Sequence, residues 1–428
     1  MSRFKPYSPE QAYLLPPSVK DVLGEGHLCF FVQQMVSRLD LSSFEQAYSI
    51  EGGALYSPAM MLSLWLYAYA TGLTSARELE RRIREDLPLR YLAGGAQPDY
   101  WALNDFRRRH RLGLNDVFTQ VVEFARELGL AKLGVVAIDS TRIKGNNAKS
   151  RVDMASRLRK ERAHIRRQIR AWQKQCDGNE NGVPSELETA QLERLLERLE
   201  AIPGRLEKLK KSGVERLPRT DADARVLRKY GQSVIGYTAD LAVTEDQFVV
   251  AQRVTQASTD NDSLVPMVEA VKEQCGDKPK VVVADSGLYS NANAAKMEAE
   301  GIDAYIPDSN LASALNKGKR VKGRARAPEM KRMRGKLRTP EGRAMYGKRK
   351  GMVEGVFGVL KAERDLHRFR LRGLVKVGIE FTLAAMAYNL TRLRAEQDSN
   401  SPVCQRRHRR IAQRDQQKQK AGRTATMG

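Results

Sequence analysis

The sequence is poor in the residues that build covalent cross-links and soft-metal sites. Its four cysteines, Cys29, Cys176, Cys275 and Cys404, are scattered over 428 residues without a CxxC pair, and there are only five histidines. That scarcity argues against a disulfide framework and against structural zinc, and it fits a reducing compartment. Acid is scarce relative to base: 51 Asp and Glu stand against 74 Lys and Arg, for a formal charge of +23. An excess of that size repels itself in a compact chain and points to a polyanionic partner. No apolar run reaches the roughly 18 residues of a membrane span. The N-terminus, "MSRFKPYSPEQ", lacks the apolar core of a secretory signal. The expectation is a soluble, cytoplasmic protein without membrane contact.

Residues 1–130 read as an all-helical N-terminal domain. "SPAMMLSLWLYAYATGL" begins with Ser57 as N-cap and Pro58 in the first turn, and it is apolar nearly all round, as a buried helix would be. "TSARELERRIREDLPLRYL" starts on another Ser/Thr pair with a capping-box acid. "DYWALNDFRRRHRLG" places Arg107, Arg108, Arg109, His110 and Arg111 at a helix end. Such an end suits a DNA-binding domain, and it suits a solvated face as well.

From Lys132 the texture becomes α/β. "LGVVAID" and "PKVVVADSGLYS" are β-branched runs that stop at an acid, the pattern of buried strands. "SVIGYTADLAVT" and "QFVVAQRVT" read as a hairpin, "DSLVPMVEAVKEQC" as a helix and "GIDAYIP" as a short strand. This α/β domain, 131–397, is interrupted at 150–212 by a helical hairpin: Leu158, Ile165 and Ile169, then Leu192, Leu195, Leu199 and Ile202, recur at helical spacing around the turn "CDGNENGVP". Pro203-Gly204 is expected to end or kink the second arm. The first arm, 151–174, holds nine Lys/Arg against two acids. It suits a surface that lies along DNA or a plain structural strut. Residues 317–350 carry fifteen Lys/Arg and two acids, and 317–345 reads as a basic loop that orders on nucleic acid. The tail, 398–428, reads as disordered and basic.

Two acids close strands, Asp139 in "VVAIDSTRIKGN" and Asp285 in "VVVADSGLYS". Each is followed by Ser, and a carboxylate at such a position commonly projects into a site. Asp240 is mid-strand in "YTADLAV" and has no comparable exit. A third acid, Glu354, interrupts "KRKGMVEGVFGVLK". On a helical wheel Val353, Val356, Phe357, Val359 and Leu360 form an apolar arc; Glu354 lies on its shoulder in line with Lys350 and Lys361, and Gly351, Gly355 and Gly358 leave a bare strip beside it. Three carboxylates on a basic protein are the donors for metal-assisted phosphoryl transfer, in which hard oxygen ligands hold Mg²⁺. The three are expected to converge within the span of a two-metal site.

At these residues the sequence resembles the DDE transposases of bacterial insertion sequences. "AIDSTRIKGN" is similar to the first-acid motif and "VVADSGLYS" to the second. The third motif of the family is Tyr, two residues, Arg, three residues, Glu, six residues, Lys; Tyr346, Arg349, Glu354 and Lys361 match it in type. Four residues instead of three separate Arg349 from Glu354, whereas Lys350 has the family distance, so either can fill the arginine's place. The resemblance implies an RNase H-like core and metal-dependent cleavage at transposon ends followed by strand transfer into target DNA. It implies two Mg²⁺ or Mn²⁺ ions on Asp139, Asp285 and Glu354, and DNA contacts from Tyr346, Arg349 or Lys350, and Lys361, with Arg338 of the basic stretch beside them. The partners are double-stranded DNA and a second copy of the chain, since two ends must be brought together. A nuclease of this fold that transfers no strands, and a non-catalytic DNA-binding descendant, are the alternatives.

Overall fold

The segment Pro58–Ala70 has no polar stripe, and it folds into a helix whose Met61, Leu62, Leu64, Trp65 and Leu66 are all buried. The computed structural model describes residues 18–46, 56–177, 186–229, 232–317, 320–321 and 323–400. Helices fill the described residues up to Glu127. Ser57 and Ser75 precede their helices as expected, but neither side chain makes a cap bond. At Ser75 the capping-box partner, Glu78, is held instead by Arg81 and Arg82. Arg107 does not face solvent. Its guanidinium is buried 3.7 Å from the Trp65 ring centroid, and its Nη1 donates to the Tyr69 hydroxyl at 2.8 Å.

The strands are β1 (Val135–Lys144), β2 (Val152–Asp153), β3 (Leu217–Pro218), β4 (Arg225–Lys229), β5 (Gln232–Thr244), β6 (Val249–Thr255), β7 (Val281–Ala284) and β8 (Asp303–Tyr305). β5 is long enough to hold two partners along one edge: β4 pairs with Gln232–Gly236, and β6 with Thr238–Val243. Its other edge pairs antiparallel with β1; β1 pairs parallel with β7, and β7 parallel with β8. The order β6-β5-β1-β7-β8, antiparallel on one side of β1 and parallel on the other, is the mixed sheet of an RNase H-like core, with β4 added at the edge.

The helix Leu374–Asn400 joins the two regions, packing on β6 and on the helices Pro58–Ala70 and Arg111–Glu127. The Asn389 amide, fully buried, accepts the Val249 N–H at 2.9 Å and donates to its carbonyl at 2.7 Å. This satisfies backbone groups on the edge strand β6. The apolar side chains of the helical region and the sheet form one continuous core.

The insertion has a small core of its own, Leu158, Ile165, Ile202 and Leu209, between the helices Ala155–Asp177 and Glu186–Ser212. Its tip, 178–185, lies outside the described residues. The second helix does not end at Pro203 but runs on to Ser212. A proline inside a helix costs about 3 kcal/mol. Packing Leu206 and Leu209 against the first helix offsets that cost.

The basic stretch read as a loop at 317–345 also differs. It contains the helix Pro328–Arg338 and most of Pro340–Arg349, each opened by a proline in its first turn. Met333 and Leu337 are buried, and buried Arg334 forms an ion pair with buried Asp308 at 2.7 Å. Part of this charge is therefore neutralised inside the fold. Most of the tail, 401–428, lies outside the described residues.

Candidate active site

The parallel ladder between β1 and β7 ends at the pair Ile138–Ala284. The next residue on each strand is Asp139 and Asp285, so register alone sets the two acids side by side where the strands part, roughly 5 Å between neighbouring backbones. β1 does not stop at its acid, as expected from the sequence; it runs on to Lys144, paired only with β5. The acid marks the end of one ladder rather than the end of the strand.

Each aspartate is fixed locally. Asp139 Oδ1 accepts the Ser140 N–H at 2.7 Å, and Asp285 caps the turn Ser286–Leu288 by accepting the Ser286 N–H at 2.8 Å. The third acid comes from the helix that starts at Pro340. After Arg349 this helix widens into a π turn over Lys350–Glu354, returns to α geometry at Gly355–Gly358, and widens again over Val359–Glu363. Of the apolar arc, Val353, Val356, Phe357 and Leu360 are buried and Val359 partly so; Met352, outside the arc, is buried as well, and the Glu354 side chain stays about half exposed.

In a π turn the hydrogen bond spans five residues instead of four, so residues five apart meet as those four apart do in an α-helix. Arg349 and Glu354 are five apart, and Nη2 lies 3.4 Å from Oε1. The extra residue in the third motif is absorbed by this wider turn. Arg349 also donates from Nη1 to Asp139 Oδ2 at 2.8 Å. Burial acts to lower the arginine's pKa, but Asp139 and Asp285, then Tyr346 and Glu354, outweigh it and raise it. Lys350 is exposed at the rim.

Asp139, Asp285, Glu354, Arg349, Lys350 and Thr141 line one cavity of about 810 Å³. Tyr346 stands behind Arg349; burial pushes its hydroxyl up, with Arg349 opposing and Asp285 and Asp139 reinforcing. Lys361 is held on β1, donating to the Thr141 hydroxyl and, at 3.2 Å, to the Arg142 carbonyl. Arg338 is exposed at the end of its helix and is not part of the cavity wall. Asp240 is fully buried in β5 opposite Ser140 and does not line the cavity. Asn316 forms part of the wall without any sequence signal, and beside it stands Lys317, the first residue of the basic stretch; only the fold brings the short helix Ser309–Lys317 there.

The three acids share a cavity without forming a ready ligand set. Among the described residues no three Asp, Glu, His or Cys side chains stand close enough together to hold a metal ion. Arg349 fills the space between Asp139 and Glu354. The donors are nonetheless all carboxylate oxygens, the chemistry that suits a hard divalent cation.

A mixed RNase H-like sheet with one acid on β1, one just past the end of β7 and one on a nearby helix is an arrangement that suits phosphoryl transfer. The Transposase DDE domain matches residues 214–390, spanning Asp285 and Glu354, and a second transposase domain (DUF772) matches residues 17–109. The chain belongs to the DDE transposases of insertion sequences, which cleave DNA, transfer its strands and use divalent metal ions. No curated protein and no solved structure matches it detectably. No helix among the described residues is long and apolar enough to cross a membrane.

Proposed function

We propose that Asp139, Asp285 and Glu354 are the catalytic acids of this transposase and would hold two Mg²⁺ or Mn²⁺ ions. The observation that carries this is the register: the last β1–β7 pair, Ile138–Ala284, aligns Asp139 with Asp285 beside the cavity that Glu354 enters. Bound there, the ions supply activation of the attacking oxygen and stabilisation of the leaving one. The chain's own residues do the rest. Arg349 moves from the carboxylates to a DNA phosphate as the backbone enters, and Lys350, Lys361 and Tyr346 position the neighbouring phosphates. Arg338 contacts DNA farther along the surface.

The helical region 1–130 acts as the DNA-binding domain and 131–397 as the catalytic domain, with the hairpin 150–212 inserted. Two copies on DNA pair the transposon ends, and the protein works at the nucleoid.

The test is cleavage of labelled transposon ends with Mg²⁺. Asp139→Ala and Glu354→Ala should each abolish cutting and joining while retaining end-DNA binding in EDTA. Either variant cutting as fast as the parent overturns the assignment.

A further inference from the structure

A second recess lies where the helical region meets the core, and it shares no residue with the cavity of the three acids. Its volume is about 490 Å³, and no Asp or Glu lines it. Arg77, Arg108, Arg370, Arg372 and Lys376 surround it, and buried Arg107 lies beneath. Arg77, Arg372 and Lys376 are exposed and form no ion pair with a described residue. On the wall stands Trp101, 62% exposed, next to Tyr100, whose ring centroid is 5.0 Å from the Arg77 guanidinium.

The cations are held in place. Fully buried Glu380 accepts the N–H groups of Arg370 at 3.0 Å and Leu371 at 2.9 Å. Asp221 and Asp223 accept those of Gly373 and Leu374 at 3.0 and 2.9 Å. Asn146, beyond the end of β1, donates to the Arg370 carbonyl at 2.8 Å, and Arg370 Nε reaches Thr74 of the helical region at 3.2 Å. Arg107 spends its terminal nitrogens on Tyr69 and Asn104, and its Nε has no partner.

Arg370 is paired with Asp365 at 2.8 Å and Arg108 with Asp105 at 3.9 Å; the three that form no ion pair with a described residue, Arg77, Arg372 and Lys376, repel one another unless an anion neutralises them. An exposed aromatic beside such cations is the arrangement that stacks unpaired bases and holds their phosphates. The recess is of the size that encloses a small molecule, roughly 300–1,000 Å³. A space of that size suits one or two nucleotides rather than a duplex. We propose that this recess binds unpaired DNA, with a base on Trp101 and flanking phosphates on Arg77, Arg372 and Lys376. The proposal rests on the DNA-processing function but not on the three acids.

The experiment compares a short single-stranded oligonucleotide with a blunt duplex of the same sequence, binding the full-length protein in EDTA. The single strand should quench tryptophan fluorescence. Trp101→Ala, at an exposed position, should remove most of that quench and weaken single-strand binding roughly 5–150-fold, the range of one base stack. Duplex affinity should stay within about twofold. Arg372→Gln with Lys376→Gln should flatten the single-strand salt dependence by about 0.7 log units per phosphate released.

Single-strand binding unchanged in Trp101→Ala, or an equal loss for strand and duplex, overturns the proposal. A parent protein that cleaves transposon ends yet gives either result disproves only the recess. One that binds no DNA of any form disproves the functional assignment as well.

Discussion

Arg349 makes two contacts that compete with the proposed metal site. Its guanidinium bridges Asp139 and Glu354, at 2.8 and 3.4 Å, in a mostly buried position where charge pairs are weakly screened. A cation held between Asp139 and Glu354 would compete with it for the same space. Arg349→Ala should therefore tighten Mn²⁺ binding to the DNA-free protein by about tenfold or more, since hydrogen bonds to charged groups contribute about 1.5–3 kcal/mol. Calorimetric titration checks this. End cleavage should fall about 10²–10³-fold over the same substitution, the range for loss of one preorganised charge stabiliser. Metal affinity that is unchanged or weaker removes Arg349 from the role of competitor. Sequence spacing left Arg349 and Lys350 equally eligible for this place, because it assumes α-helical geometry throughout.

At the scale of elements, the π turn is what lets a third motif with one residue too many keep its geometry. Its effect is testable by length. Deleting Gly351, which carries no side chain, should let Lys350–Glu354 close into an α turn with Arg349 and Glu354 still facing each other. The cost is the bond from Gln247 to the Gly351 carbonyl. Cleavage by this variant should stay within about tenfold of the parent. Inserting an alanine after Lys350 should abolish cleavage by rotating Glu354 about 100° away. A deletion as damaging as the insertion would show that the π turn serves another purpose.

The strands, the β5–β6 hairpin and both aspartates were legible because β-branched runs and their terminal acids are local signals. What escaped depends on partners. β1 passes Asp139 because β5 continues to pair with it. The helix Glu186–Ser212 passes Pro203 because the facing arm buries Leu209. The arginine-rich stretch folds because Asp308, far off in sequence, neutralises Arg334.

Across the whole molecule the +23 charge is not spread evenly. Part of it is internal, in Arg334 and Arg349, which sit on carboxylates. Part of it is concentrated on the inserted hairpin. The helix Ala155–Asp177 carries eight Lys/Arg and two acids, while Glu186–Ser212 carries six of each. Lys160, Arg167 and Lys174 are exposed on the first helix. They recur every seven residues, so they stand in line about 10.5 Å apart on a rod about 34 Å long. That spacing lets one row of side chains follow a duplex backbone. Replacing all three by glutamine should lower the slope of log K against log salt by about 0.9 for each phosphate no longer neutralised, measured by filter binding to duplex DNA. The hairpin has its own apolar core, so the exposed substitutions should leave the melting temperature unchanged. A slope equal to that of the parent would make the hairpin a strut rather than a DNA-facing surface.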